Sequence, residues 1–236
     1  MTHPLDQFEA IYVINLASRA DRRAEMQEQL QRIGLSLQSL SIQLFEAVRP
    51  ADAGGFPSVG ARGCFHSHLG VLQHALAAGV ERVLIVEDDL NFADDFLQRG
   101  AAVLEQLSQK DWAVFYGGYE LASSVVLPSG CSLLSPDEPV RTTHFIAFRG
   151  AAIGEAAAYL SAMRDRPPGH VDGGPMHVDG AYTWLRRAHP QWQTWAVAPP
   201  LGHQRASRTD IHDLRWHDRL PVVRDAVAML RRLKNR

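Results

Sequence analysis

Three consecutive carboxylates, Glu87-Asp88-Asp89, follow the short apolar run Val83-Leu84-Ile85-Val86. Adjacent carboxylates repel one another, and such a group is tolerated in a crevice chiefly when a cation neutralises it. Their oxygens are hard ligands, which favours Mg²⁺ or Mn²⁺ over zinc. A solvated loop after a core strand would carry the same letters, because short acidic motifs are common by chance. A second charged group, Arg19, Arg22 and Arg23 around Asp21, could hold the phosphates or ribose of a nucleotide, or stand in solvent beside a helix capped by Asp21. His66, Ser67 and His68 in the first turn of a helix would make an anion site. Asp179 directly precedes Gly180-Ala181-Tyr182-Thr183-Trp184-Leu185, an N-cap position that fixes a carboxylate at the head of a helix.

The elements that position these groups alternate. Residues 83–86 are apolar on both faces and too few for a helix, the pattern of a buried strand in a parallel sheet. Ligands collect outside the carboxyl ends of such strands, and alternation along a strand sends Glu87 and Asp89 to one side and Asp88 to the other. Residues 10–16 read as a first strand and 23–33 as an amphipathic helix stopped by Gly34, so the arginine group occupies the turn between them. Further strands are expected over 40–45, 112–116, 143–148 and 194–198. Helices are expected over 64–78, from an Asp94 cap to Leu107, over 150–163 and after Asp179. Residues 125–127 and 132–134 read as a hairpin around Pro128-Ser129-Gly130. Residues 164–178, with three prolines and three glycines, read as a functional loop or lid. The alternation predicts an α/β fold, a mostly parallel sheet flanked by helices with its strands' carboxyl ends along one edge.

At 236 residues one domain is expected, its core over about 10–211 and a basic helical segment over 212–236. A net charge of -2, from 24 basic and 26 acidic residues, provides no field for nucleic acid. Two cysteines, Cys64 and Cys131, cannot make a disulfide framework, and no Cys/His pattern has structural-zinc spacing; a reducing, cytoplasmic setting is the default. Asp6 and Glu9 precede the first apolar run and Asn15 breaks it, unlike a signal peptide. No uninterrupted apolar stretch is long enough to span a bilayer. The basic helix over 222–234 would pack through Val223, Val227, Leu230 and Leu233, or touch the inner face of a membrane through Arg231, Arg232 and Lys234. A two-component receiver domain also opens on a strand with an acidic pair, but it needs a downstream acceptor Asp and then a Lys, and this chain has only Lys110 and Lys234.

Val13-Ile14-Asn15-Leu16 with Arg19 and Asp21-Arg22-Arg23 resembles the opening motif of the family 25 glycosyltransferases, which build bacterial lipopolysaccharide and lipooligosaccharide and include collagen galactosyltransferases. The resemblance continues in order through Gly63-Cys64 with Ser67-His68, Val86-Glu87-Asp88-Asp89 and the Trp112 strand leading to Gly117. It ends with His144 before Gly150-Ala151, Val178-Asp179, and Gln204 followed by Thr209-Asp210-Ile211. Ala61-Arg62 departs from the acidic residue usual before the Gly-Cys pair, and Thr209 stands in place of a serine.

The resemblance implies a GT-A type, Rossmann-like fold that binds a UDP-sugar, galactose being the expected sugar, through Mn²⁺ or Mg²⁺. Transfer would invert the anomeric centre, onto a saccharide or lipid-linked oligosaccharide acceptor of the envelope. On that implication donor binding falls to Asn15, Arg19, Arg22, Ser67, His68, Glu87, Asp88 and Gln204, and metal binding to Asp89 with Glu87 and His203. Acceptor binding falls to His144 and His177, and the catalytic base is Asp179, with Asp172 and His177 as the other candidates. Which of the three carboxylates ligates is left open. Two other functions fit the same residues. One is a metal-dependent phosphohydrolase drawing on histidines 66, 68, 144, 177 and 203; the other is an inactive nucleotide-sugar-binding protein.

Overall fold

The computed structural model describes residues 3–205. The segment 209–211 and the basic helix expected over 222–234 lie outside the described residues.

A short 3₁₀ turn, Pro4–Gln7, leads into β1 (Ala10–Asn15), α1 (Ala20–Arg32), β2 (Ile42–Glu46), α2 (Val59–Ala77) and β3 (Arg82–Glu87). There follow β4 (Leu90–Phe92), α3 (Phe96–Ser108), β5 (Val114–Leu121), β6 (Gly130–Leu134), β7 (Val140–Arg149), α4 (Ala151–Asp165), α5 (Val178–Ala188), β8 (Thr194–Ala198) and β9 (Gly202–Gln204). β3 is buried on both faces as its composition requires. Val83 and Ile85 join one apolar cluster with α2, α4 and α5, while Leu84 and Val86 join the other with α1 and α3.

The main sheet runs β2-β1-β3-β7-β5-β8-β6. β2, β1, β3, β5 and β8 share one direction, and β7 and β6 run against it. The fold is therefore α/β, with a mixed, mostly parallel sheet flanked by helices. The antiparallel strand in the middle matters for the site. With Val86 opposite Phe145, β7 starts at the edge where β3 ends, so Thr143 and His144 stand beside Glu87. A parallel β7 would have carried them to the far edge.

Several local expectations differ from the structure. β6 pairs antiparallel with β8 instead of closing a hairpin with 125–127. Leu134 is 4% exposed and packs in a core cluster, whereas Val125 and Val126 are 51% and 90% exposed and only Leu127 of the first arm packs partly against that cluster. The cap of α3 is Asp95, not Asp94, and α1 and α5 are preceded by Arg19 and His177, leaving Asp21 and Asp179 in their first turns. α2 begins well before Cys64, at Val59, because the Ser58 side chain accepts from Ala61 N at 3.0 Å. Gly63 lies inside it for a packing reason: a Cβ there would stand 2.6 Å from the Val48 carbonyl oxygen. His66, Ser67 and His68 are consequently in mid-helix, away from the terminal N–H groups that an anion site needs.

Candidate functional site

β3 ends at Glu87 and the chain turns at Asp88–Asp89 before β4, so strand alternation stops applying there. Asp88 and Asp89 both face Arg22, and Glu87 alone points toward α2. The Asp88 carboxylate accepts from Asn15 Nδ2 (2.7 Å) and Arg22 Nη1 (3.0 Å). The same guanidinium nitrogen lies 3.5 Å from Asp89 Oδ2. Arg22 reaches them from the first turn of α1, and Asn15 from the end of β1. Asn15 also donates to the Arg19 carbonyl at 3.2 Å, which holds the turn between the two elements. Burial pushes the Asp88 carboxyl up, with Arg22 and Asn15 opposing.

The antiparallel pair β4–β9 sets Gln204 beside Leu90. From there Gln204 Nε2 donates to Asp89 Oδ2 at 3.1 Å, and Arg205 N donates to the Asp89 carbonyl at 2.6 Å. His203 pairs with Asn91 and is exposed; it is Gln204, not His203, that meets Asp89. The Asp89 carboxyl is pushed up to about 7, first by burial and then by the Glu87 charge, with Arg22 opposing.

A carboxyl raised above its unfolded value of 3.8 takes up a proton on folding between the two values, so its folding free energy improves as pH falls through that window. The difference in unfolding free energy between the native chain and Asp89→Asn, measured in chelator, should slope across about pH 4–7, with the native chain gaining on acidification. A flat difference would show that Asp89 ionises normally.

Glu87 faces α2 and the start of β7. Its Oε1 accepts from Thr143 Oγ1 at 2.7 Å and lies 3.4 Å from His68 Nε2. Burial raises this carboxyl, but His68, Thr143 and His144 outweigh that and hold it below the usual range. His68 is fully buried, with Nδ1 3.1 Å from the Tyr182 hydroxyl on α5. Ser67 turns the other way, donating to the Gly63 carbonyl and accepting from Val48 N. It thereby ties α2 to the chain leaving β2. Between these elements opens a cavity of ≈ 310 Å³ whose walls include Arg22, Arg49, Cys64, Ser67, Glu87 and Asp88. Arg49 was not singled out by sequence, because it lies in a loop with no motif, and only the fold brings it to Arg22 and the acidic turn.

Asp179 is half-buried. Its Oδ1 accepts from Gly180 N at 2.7 Å and its Oδ2 from Thr142 N at 3.3 Å, so the carboxylate bridges α5 and β7. Thr143, next to its partner Thr142, donates to Glu87, which sets Asp179 near the acidic group. His144 is buried beside Gly118, its Nε2 on the Gly202 carbonyl at 3.4 Å. His177 precedes α5, Asp172 is exposed on the loop before it, and Arg19 pairs with Asp21 at 2.8 Å. Thus Asn15, Arg22, Ser67, His68, Glu87, Asp88, Asp89 and Gln204 form one contiguous group, with Asp179 near it, and His203 stands apart.

The donor set can be tested against a hard divalent cation. Asp88 has both oxygens committed to Asn15 and Arg22. Asp89 Oδ1 is a buried acceptor with no hydrogen-bond partner, the kind of orphaned oxygen that a bound cation completes. Asp89 Oδ1 thus offers one open ligand oxygen to Mn²⁺ or Mg²⁺, while Asp88 and Glu87 are turned to other partners.

Residues 52–122, from the loop before α2 through the acidic turn into β5, match the family described as Glycosyltransferase family 25 (LPS biosynthesis protein). The chain is similar to the probable inactive glycosyltransferase 25 family member 3 of Rattus norvegicus, 31% identical over 129 residues, which is 47% of this chain and 23% of that protein. It is also similar to procollagen galactosyltransferase 2 of Homo sapiens, 28% identical over 129 residues, 47% of this chain and 21% of that protein. The matched part is under a quarter of the length of these relatives. Among solved structures, a glycosyltransferase involved in the glycosylation of the major capsid of PBCV-1 shares the fold. The TM-score is 0.51 over 84% of this chain and 94% of that one, at 11% identity.

Proposed function

The chain carries a glycosyltransferase family 25 domain, distantly homologous to procollagen galactosyltransferases, and on that premise we propose that it transfers a sugar, galactose, from UDP-galactose to a saccharide or lipid-linked oligosaccharide acceptor of the cell envelope, with inversion. The observation that carries this reading is the gathering of Asn15, Arg22, Glu87, Asp88 and Asp89 at one sheet edge, where Arg22, Glu87 and Asp88 line a cavity of ≈ 310 Å³, within the usual size of a small-molecule site. Asp88 is locked in one orientation by two donors and can accept from a ribose or sugar hydroxyl. Arg49, at the cavity mouth, can meet a diphosphate, the bidentate geometry suiting a guanidinium. Mn²⁺ or Mg²⁺ held at Asp89 would neutralise the negative charge developing on the leaving UDP.

The phosphohydrolase reading finds less support. Among the described residues only His68 joins a group of metal-ligand side chains, and the histidines at 66, 144, 177 and 203 do not. A nucleotide-sugar-binding protein without turnover stays as the second reading, because several of the similar proteins are described as inactive or probable inactive.

The test is UDP release from UDP-sugars in Mn²⁺, with and without saccharide acceptors, together with UDP binding by calorimetry. Acceptor-dependent release is expected, and Asp89→Asn should abolish the Mn²⁺-dependent part of UDP binding while the chain stays folded. Binding without release would favour the second reading. Unchanged metal-dependent affinity in Asp89→Asn would remove the acidic turn from the function altogether.

A further inference from the structure

We infer that Cys64, His68 and Glu87 form a second cation site, selective for a thiophilic divalent ion of the Zn²⁺ type and distinct from a hard-cation site at Asp89. One ligand atom from each of the three lies within 4.8 Å of the others. Cys64 and His68 are one helical turn apart on α2 and so present their side chains on one face. Glu87 meets them from the end of β3.

His68 carries the argument. Its ring is fully buried, and Nε2 has no hydrogen-bond partner although it lies 3.4 Å from Glu87 Oε1. The tautomer that donates Nδ1–H to the Tyr182 oxygen leaves a bare lone pair on Nε2, facing a carboxylate. In that tautomer two buried acceptors face each other, and a cation between them, metal or proton, satisfies both. A Tyr hydroxyl on the far nitrogen is also the kind of partner that orients a metal-bound imidazole.

The same geometry speaks against a Cys–His–carboxylate nucleophilic triad. There the carboxylate would hold one ring nitrogen while the other faced the thiol; here Glu87 stands at Nε2, and Nδ1 is committed to Tyr182. Burial and the neighbouring charges of Glu87, Asp179, Asp89 and Asp88 push the Cys64 thiol well up, so without a cation it is protonated and unreactive.

Sulfur and imidazole ligands select Zn²⁺ or Co²⁺ over Mg²⁺ and Mn²⁺. Cys64 and Glu87 line the ≈ 310 Å³ cavity, which leaves a fourth position open to water or a ligand, the arrangement of three-ligand zinc sites. Binding would displace the thiol proton, so affinity should rise with pH. None of this requires sugar transfer, and the test measures no activity.

Co²⁺ titrated into the metal-free full chain should produce the thiolate-to-cobalt charge-transfer band in the near ultraviolet. A single equivalent should saturate it, Zn²⁺ should displace it, and excess Mg²⁺ should not. Cys64→Ser should abolish the band and Cys131→Ser should keep it, while Tyr182→Phe should keep it with about 10-fold weaker affinity. X-ray absorption of the zinc-loaded native chain should show one sulfur at about 2.3 Å with nitrogen and oxygen neighbours, a result independent of whether any variant folds. No charge-transfer band, a band that survives Cys64→Ser, or a zinc shell without sulfur would overturn the proposal and leave a proton as the cation between His68 and Glu87.

Discussion

Asp179→Asn should lower kcat for acceptor-dependent UDP release by at least ~100-fold while donor and acceptor binding persist, the usual size of a general-base contribution. In a single inverting displacement the acceptor hydroxyl loses its proton as it attacks, so a base must stand within hydrogen-bond reach of that oxygen. Asp179 is anchored for such work. It sits in the first turn of α5, with Gly180 N at 2.7 Å from Oδ1 and Thr142 N at 3.3 Å from Oδ2. Thr142 presents that N–H from φ 61, a left-handed conformation rare for a β-branched residue and costing about 1–3 kcal/mol. The asparagine keeps one oxygen acceptor and similar size, so folding should persist. If Asp179 serves only the helix terminus, the variant would lose about 1 kcal/mol of stability and turn over at near-normal rate; His177, two residues before it, would then be tested as the base.

How far the sequence revealed this site depends on which interactions are local. The end of β3 was legible because an apolar run of that length, bounded by charge, has few other fates. The direction of β7 was not, since the apolar pattern of residues 143–148 is the same whichever way the strand is threaded, and pairing with β3 and β5 decides it. β4 and β9 span three residues each, too few to show a period, yet they bring Gln204 to Asp89. The start of α2 was hidden by Gly60 and Gly63, which read as loop residues. The Ser58 cap and close packing against Val48 override that propensity, and only the longer helix puts Cys64 and His68 on one mid-helix face. The sequence permits Arg22 as a phosphate ligand or a solvated charge, whereas it is buried against two carboxylates. No spacing in the sequence announces a partner 66 residues away.

Arg22→Ala should destabilise the metal-free chain by about 3–5 kcal/mol, the usual cost of removing one partner from a buried ion pair. The side chains of Arg22, Asp88 and Asp89 are 10%, 9% and 5% exposed, so little water reaches the two carboxylates once the guanidinium is gone. Arg22→Lys should recover only part of the loss, because an ammonium keeps the charge but not the rigid, more weakly hydrated set of guanidinium donors. The loss should also shrink on acidification. Burial already raises Asp88 and Asp89, the latter to about 7, and without Arg22 both would rise further, so acidification neutralises them earlier and they miss the cation less. Denaturant unfolding at pH 8 and pH 5 measures both effects. A change within about 0.5 kcal/mol at pH 8, as at an ordinary surface position, would mean that Arg22 is not the counter-charge of the acidic turn. Saturating Mn²⁺ adds a further check, since a cation bound by the folded variant at Asp89 restores stability in proportion to the logarithm of its concentration over Kd. Recovery in Arg22→Ala that disappears in Arg22→Ala combined with Asp89→Asn would show that the guanidinium and the metal serve the same buried charge.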